Sequence, residues 1–192
     1  MTICKKMCFV VKYEVIKRGG IYMNRNERTS KLVLSAMMAC LVMVATFAIR
    51  IPSPFTQGYV HLGDAMVFMS VMVLGRGKGA VAAGIGSALA DVLGGYAAYA
   101  PWTLIIKAAM GYVMGLIPNK YIGMVAGGLV MVAGYAVVDG IFAGNLMSGF
   151  LGAPFNVGQF VVGMVLASVL SIALCKTPAK KYFTYTLDKK QD

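Results

Sequence analysis

Charge is what this chain has least of. Only 13% of its 192 residues are Asp, Glu, Lys or Arg, about half the share of a soluble domain. With 59% of residues hydrophobic, too little polar surface exists to cover a water-facing globule. Histidine is nearly absent. His61 stands alone, which excludes HExxH zinc chemistry. Four cysteines, Cys4, Cys8, Cys40 and Cys175, make no disulfide framework: two lie in a basic amino-terminal stretch and two in apolar runs. Cys4 and Cys8 have ligand-like spacing but no companion ligands, so no metal site is expected. GRGKGA (75–80) holds a Gly-Lys pair but lacks the GxxxxGK[ST] pattern of a phosphate-binding loop. There is no GxSxG and no serine placed beside a histidine for nucleophilic work. No catalytic residue, metal or cofactor is expected, and no ATP hydrolysis by this chain on its own. Energy for any uphill process must come from an ion gradient or a partner.

What is abundant points elsewhere. Glycine (23) and methionine (15) are frequent, and glycine is common in packed membrane helices. The class expected is an all-α, multi-pass membrane protein. Six apolar segments are legible: Leu32–Ile49, about Tyr59–Leu74, about Gly79–Ala98, Pro101–Ile117, about Tyr121–Ala143 and about Pro154–Cys175. A spanning helix needs about 20 residues, so the second and fourth are short. IPSPF, GRGKG, GGYAAYAP, IPNK and GNLMSGFLGAP read as the breaks between them.

A formal charge of +11 would suggest a nucleic-acid partner were it spread over the chain. Instead, eight Lys/Arg precede residue 32 and five follow residue 175. Arg76, Lys78 and Lys120 fall in the loops that share a side with the termini, and only Arg50 falls opposite. The positive-inside rule then puts both termini in the cytoplasm. Residues 1–31 are expected to be a basic cytoplasmic segment, 32–175 the six-helix body, and 176–192 a basic cytoplasmic tail. Within the first, the KRGG of KRGGIYM (17–23) can be encoded by a purine-rich run that resembles a bacterial ribosome-binding site just ahead of a Met codon. A start at Met23 with 1–22 a translated leader is expected, the alternative being a genuine basic cytoplasmic tail.

Four ionisable groups lie inside the apolar body, all towards the outer face: Asp64, Asp91, Lys107 and Asp139. Charge within a bilayer is costly and faces a bundle interior or a wet cavity. Their shared depth predicts one polar chamber opening outward. Asp91 and Lys107 each lie eight residues from Tyr99 in a helical hairpin, so they are expected to pair, with Asp64 as the next candidate. Aromatic and amide groups collect at the same end: Phe55, Gln57, Tyr59, Tyr96, Tyr99, Trp102, Asn145, Phe155, Asn156 and Gln159. An interfacial belt would explain Trp102 and Tyr99, whereas the amides fit a small-molecule site better. At least two of Tyr96, Tyr99, Trp102, Asn156 and Gln159 are expected to touch the ligand. The first segment carries two small-xxx-small pairs in its cytoplasmic half, Ser35/Ala39 and Ala36/Cys40, and Gly84/Ala88 and Gly123/Gly127 repeat the spacing.

GYVHLGDAMVFMSVMVLG (58–75) and GAVAAGIGSALADVLGGYAAYAPWTLIIKAAMGYVMG (79–115), with the six-segment layout, resemble the substrate-binding S component of an energy-coupling factor (ECF) vitamin transporter. The likeness spans about residues 32–175 and is nearest the riboflavin, hydroxymethylpyrimidine and pyridoxine-like branch. It implies a bacterial cell-membrane protein that binds a vitamin or precursor from outside. It also implies a T component and two ABC-type ATPases as partners, with the S component toppling to carry its site inward. Docking on the T component maps onto Ala36 and Cys40, or onto Ser35 and Ala39. The alternative is an ion-coupled secondary transporter working alone, against which stand the lack of an inverted repeat and of charge in the inner half. Three Asp against one Lys disfavour an anionic ligand.

Overall fold

The computed structural model describes residues 25–48, 50–52 and 59–176. The expected leader, most of the basic amino-terminal segment, the tail beyond residue 176, and Phe55 and Gln57 lie outside the described residues. Contacts divide the chain into residues 1–34 and 35–192. Of the first unit, only the opening turns of a helix, residues 25–34, are described.

Six helices and one short hairpin are present among the described residues. The order is α1 (Arg25–Ala48), β1 (Arg50–Pro52), β2 (Tyr59–His61), α2 (Asp64–Leu74), α3 (Arg76–Leu93), α4 (Ala100–Leu116), α5 (Lys120–Phe142) and α6 (Leu146–Cys175). The all-α class and the count of six agree with the sequence. Three helices are long and apolar enough to cross a bilayer: Thr29–Ala48 of α1, α5 and α6. α2 and α4 are shorter apolar helices.

Several boundaries differ from those expected, including the start of the first helix at Arg25 and the end of the third at Leu93, and three helix starts have a clear local reason. The second apolar segment is not helical from Tyr59. Its first residues pair antiparallel with β1, Arg50 opposite His61 and Pro52 opposite Tyr59. α2 therefore starts only at Asp64. α3 begins at Arg76 rather than Gly79, because one glycine suffices for the turn before it: Gly75 has φ +78°, a region closed to most side chains. α6 begins at Leu146, not Pro154. Asn145 caps it, its side chain accepting from Met147 N at 3.0 Å. The helix then runs through Pro154 for 30 residues; proline is tolerated in apolar helices whose neighbours cover the interruption.

Packing from Ser35 onward depends on close helix approach. A Cβ at Gly84 would lie 2.7 Å from the Leu104 carbonyl oxygen and 3.1 Å from Ala108, so α3 and α4 touch backbone to side chain. Gly111 meets Ala80 in the same antiparallel register. Gly123 and Gly127 do the same on α5, each lying 2.6 Å (as a Cβ) from a carbonyl of α4, Met114 and Met110 respectively. The core between these helices is methionine-rich: Met110, Met114, Met124 and Met131 are fully buried, and their flexible thioethers fill irregular gaps. α1 contributes one narrow stripe, Met38, Val42 and Thr46, at every fourth residue.

Candidate functional site

The polar residues of the body are sorted by helical periodicity into a ladder between α4 and α5. Tyr99, Thr103 and Lys107 recur every fourth residue at the start of α4 and face one way. Met131, Tyr135 and Asp139 do so on α5. Because the two helices run antiparallel, each pair meets. Tyr99 OH donates to Asp139 Oδ1 at 3.0 Å. Tyr135 OH donates to Thr103 Oγ1 at 3.1 Å. Lys107 Nζ approaches Met131 Sδ at 2.9 Å and lies 5.6 Å from the centre of the Tyr135 ring. Successive rungs are about 6 Å apart at 1.5 Å per residue.

The deepest rung ends in a closed network. Lys107 Nζ makes an ion pair with Asp64 Oδ1, and both side chains are fully buried. Asp64 Oδ2 accepts from Gln159 Nε2 at 3.0 Å. Gln159 Oε1 in turn accepts the backbone N–H of His61 at 3.0 Å. His61 Nδ1 accepts the N–H of Gly63 at 3.0 Å, which assigns its ring proton to Nε2. One network therefore ties β2, α2, α4 and α6 together. Its charges neutralise each other, and Asp64, Gln159 and the Lys107 ammonium each have partners in the directions their chemistry requires.

The expected pairing of Lys107 with Asp91 is corrected here. Counting eight residues either way from Tyr99 assumed a symmetric hairpin, but residues 94–99 form a turn rather than helix. Asp91 lies in the last turn of α3, where its carbonyl oxygen accepts from Tyr96 N at 2.8 Å. Lys107 is two turns inside α4. The Gly84–Leu104 and Ala80–Gly111 contacts set the register: Asp91 stands level with Tyr99, and Ser87 level with Thr103. Asp64, at the first position of α2, is the acidic group at the depth of Lys107.

The outermost rung is open where the deepest is closed. Asp139 is 5% exposed, and Tyr99 occupies its Oδ1. No side chain among the described residues satisfies Oδ2, which is not sealed off. The Tyr99 phenol is pushed above the ordinary tyrosine range, by burial first and then by the Asp139 and Asp91 carboxylates, so it remains a donor. Its ring packs edge-on against Phe142, 4.7 Å between centroids. One level deeper, Ser87 Oγ is fully buried with no hydrogen-bond partner among the described residues. Elsewhere in the body, the Ser70, Ser168 and Ser171 hydroxyls bond carbonyls of their own helices.

Set against known families, residues 26–176 match the model of the ECF-type riboflavin transporter S component. The chain belongs to that family. A thiamine precursor transporter, HmpT, of Lactococcus lactis subsp. cremoris is 33% identical over 153 residues, covering 79% of this chain and 92% of that protein. An uncharacterised protein of Pyrococcus woesei is 36% identical over 143 residues, covering 70% of this chain and 95% of that one. Two solved structures share the fold. The S component of a bacterial ECF transporter has a TM-score of 0.65 at 15% identity, over 78% of this chain and 97% of that one. The biotin S component of an ECF-type ABC transporter has 0.63 at 16%, over 84% and 100%.

In this S component the residues expected at the site divide by location. Asp64, Lys107 and Gln159 belong to the closed network at one end of the ladder, and Tyr99 with Asp139 forms the rung at the other end. Asp91 is buried at that same level. Tyr96 is half-buried against the core, and Asn156 is half-buried on α6. Trp102 is 42% exposed and faces away from the ladder, as an interfacial anchor would. Asn145 Oδ1 caps α6. On α1, Ala36 and Cys40 are exposed, while Ala39 turns inward so that its carbonyl oxygen meets Gly86. Thr103, Met131, Tyr135, Ser87 and His61 were not singled out as site residues from the sequence. The fourth-residue spacing in YAPWTLIIK and MVAGYAVVD carried the signal for the first three.

Proposed function

We propose that this S component binds a small heteroaromatic vitamin precursor of the aminopyrimidine type at the outer end of the α4–α5 ladder. The observation that carries the proposal is the upper rung. There a buried carboxylate has one oxygen held by Tyr99 and the other open, beside the aromatic faces of Tyr99 and Phe142. Such a rung accepts N–H donors and stacks flat rings, and it repels anions. The 33% identity to a thiamine precursor transporter supports the same class of ligand. A flavin is the second reading, favoured by the description of the matching family. Mass spectrometry of ligand released from the purified protein decides between them. A pyrimidine carrying amine and hydroxymethyl groups is the expected species, and a recovered flavin overturns the proposal.

Delivery inward is proposed to require a T component and two ABC-type ATPases, with the protein in a bacterial cell membrane and both termini cytoplasmic. The asymmetric distribution of Lys and Arg supports this orientation. Docking is assigned to Ala36 and Cys40, the small pair that α1 leaves exposed. Ligand uptake by cells lacking the ATPases would instead favour a transporter working alone.

A further inference from the structure

We infer that Asp139 selects the ligand by its exocyclic amine, with Tyr99 as the positioning residue and Ser87 as a second polar contact one level deeper. This rests on the pyrimidine reading above. Tyr99 OH donates to Oδ1, which fixes the plane of the carboxylate and aims the lone pairs of Oδ2 away from the Tyr99 contact. Asp139 is 5% exposed, and its Oδ2 is open but has no donor among the described residues. An N–H from a ligand satisfies it, and a ligand carbonyl at the same place would set acceptor against acceptor. The rung therefore reads amine against oxo, the exocyclic difference between an aminopyrimidine and its deaminated analogue.

Ser87 adds a second, independent observation. Its hydroxyl is fully buried, without a partner among the described residues. It shares with Ala80, Gly84 and Asp91 the face of α3 that meets α4. In an apolar helix a serine hydroxyl ordinarily bonds back to its own turn, as Ser70 and Ser168 do here. A hydroxyl that does not do so, level with Thr103 and one rung below Asp139, is placed to meet a ring nitrogen or a hydroxymethyl group.

The test is a specificity reversal. Full-length protein, as wild type and as Asp139→Asn, is titrated with two probes: a hydroxymethyl aminopyrimidine and the same ring with oxo in place of amine. Tyr99 donating to Oδ1 would hold the new amide with its NH2 towards the ligand, repelling the amine and donating to the oxo group. The expected result is loss of amine affinity by about 10–100-fold, as for a hydrogen bond to a charged group, together with a gain for the oxo probe. An unchanged amine-to-oxo ratio, including equal loss for both, overturns the assignment while leaving the pyrimidine reading intact. Wild-type protein that binds neither pyrimidine but takes up a flavin overturns that reading and the assignment with it. Should Asp139→Asn fail to fold, Tyr99→Phe keeps the charge and the ring and releases the carboxylate. Its amine-to-oxo ratio should fall about three- to tenfold, and no change there counts against the proposal.

Discussion

Lys107 is paired with Asp64, 43 residues away in sequence and outside its own helical hairpin. The pair joins α4 to the first turn of α2, and Gln159 joins both to α6. A charge in an apolar helix thus serves as a tie between three elements. Because the pair is buried, removing one partner strands the other at a cost of about 3–5 kcal/mol. Lys107→Met should lower the melting temperature in detergent markedly, and Lys107→Met with Asp64→Leu should recover much of the loss. A double variant no more stable than the single one would show that the pair does not hold the fold.

Gln159 is predicted to control the β1–β2 hairpin. Its Oε1 accepts the His61 N–H and its Nε2 donates to Asp64. Gln159→Leu should free that backbone amide and cost about 1–3 kcal/mol, as for a buried group left unsatisfied. Hydrogen exchange at residues 59–63 should quicken in the variant, and unchanged protection would place the hairpin's anchor elsewhere.

The two small pairs on α1 are predicted to behave differently. Ala36 is exposed, while Ala39 is partly buried with its carbonyl against Gly86. Ala36→Trp should abolish uptake in cells yet leave ligand binding to the isolated protein unchanged, because the bulk obstructs only a partner. Ala39→Trp should reduce thermal stability of the isolated protein. Equal loss of ligand binding in both variants would place both residues in internal packing.

Close approach at Gly127 sets a fourth expectation. A Cβ there would lie 2.6 Å from the Met110 carbonyl oxygen, whereas one at Gly158 would meet nothing within 4 Å. Gly127→Ala should cost about 1–3 kcal/mol through overpacking. Gly158→Ala should be neutral, or stabilising by up to about 1 kcal/mol because alanine favours the helix. Thermal melts of the two variants side by side check both signs.

Much of the body was legible because membrane insertion imposes a strong, local constraint. Helices bond their own backbone in lipid, so an apolar run such as LVLSAMMACLVMVATFAI identifies α1 without tertiary information. The burial of Asp64, Lys107 and Asp139 was legible for the same reason, since a charge must lie where a bundle interior can take it, but their expected shared depth was not met: Asp139 stands two rungs from the Lys107–Asp64 pair. The turn at 94–99 was less so. GGYAAYAP signals a break but not its rise, and that uncertainty left Asp91 two rungs away from Lys107. Asn145 was read as a site amide, and its position just ahead of Leu146 also makes its side-chain oxygen a cap.

Composition and apolar periodicity determined by themselves that this is a six-helix membrane protein with its few charged groups inside the bundle. Pairing was decided only by the tertiary structure. Helical spacing specifies which residues of one helix share a face, but not the offset at which two helices meet. That offset is set here by glycines at crossing points, Gly84 on Leu104 and Gly127 on Met110, where one backbone enters the surface of the next. A slip of a single turn would move every rung by about 5 Å. It would part Tyr99 from Asp139 and Lys107 from Met131, with every residue and every helix unchanged.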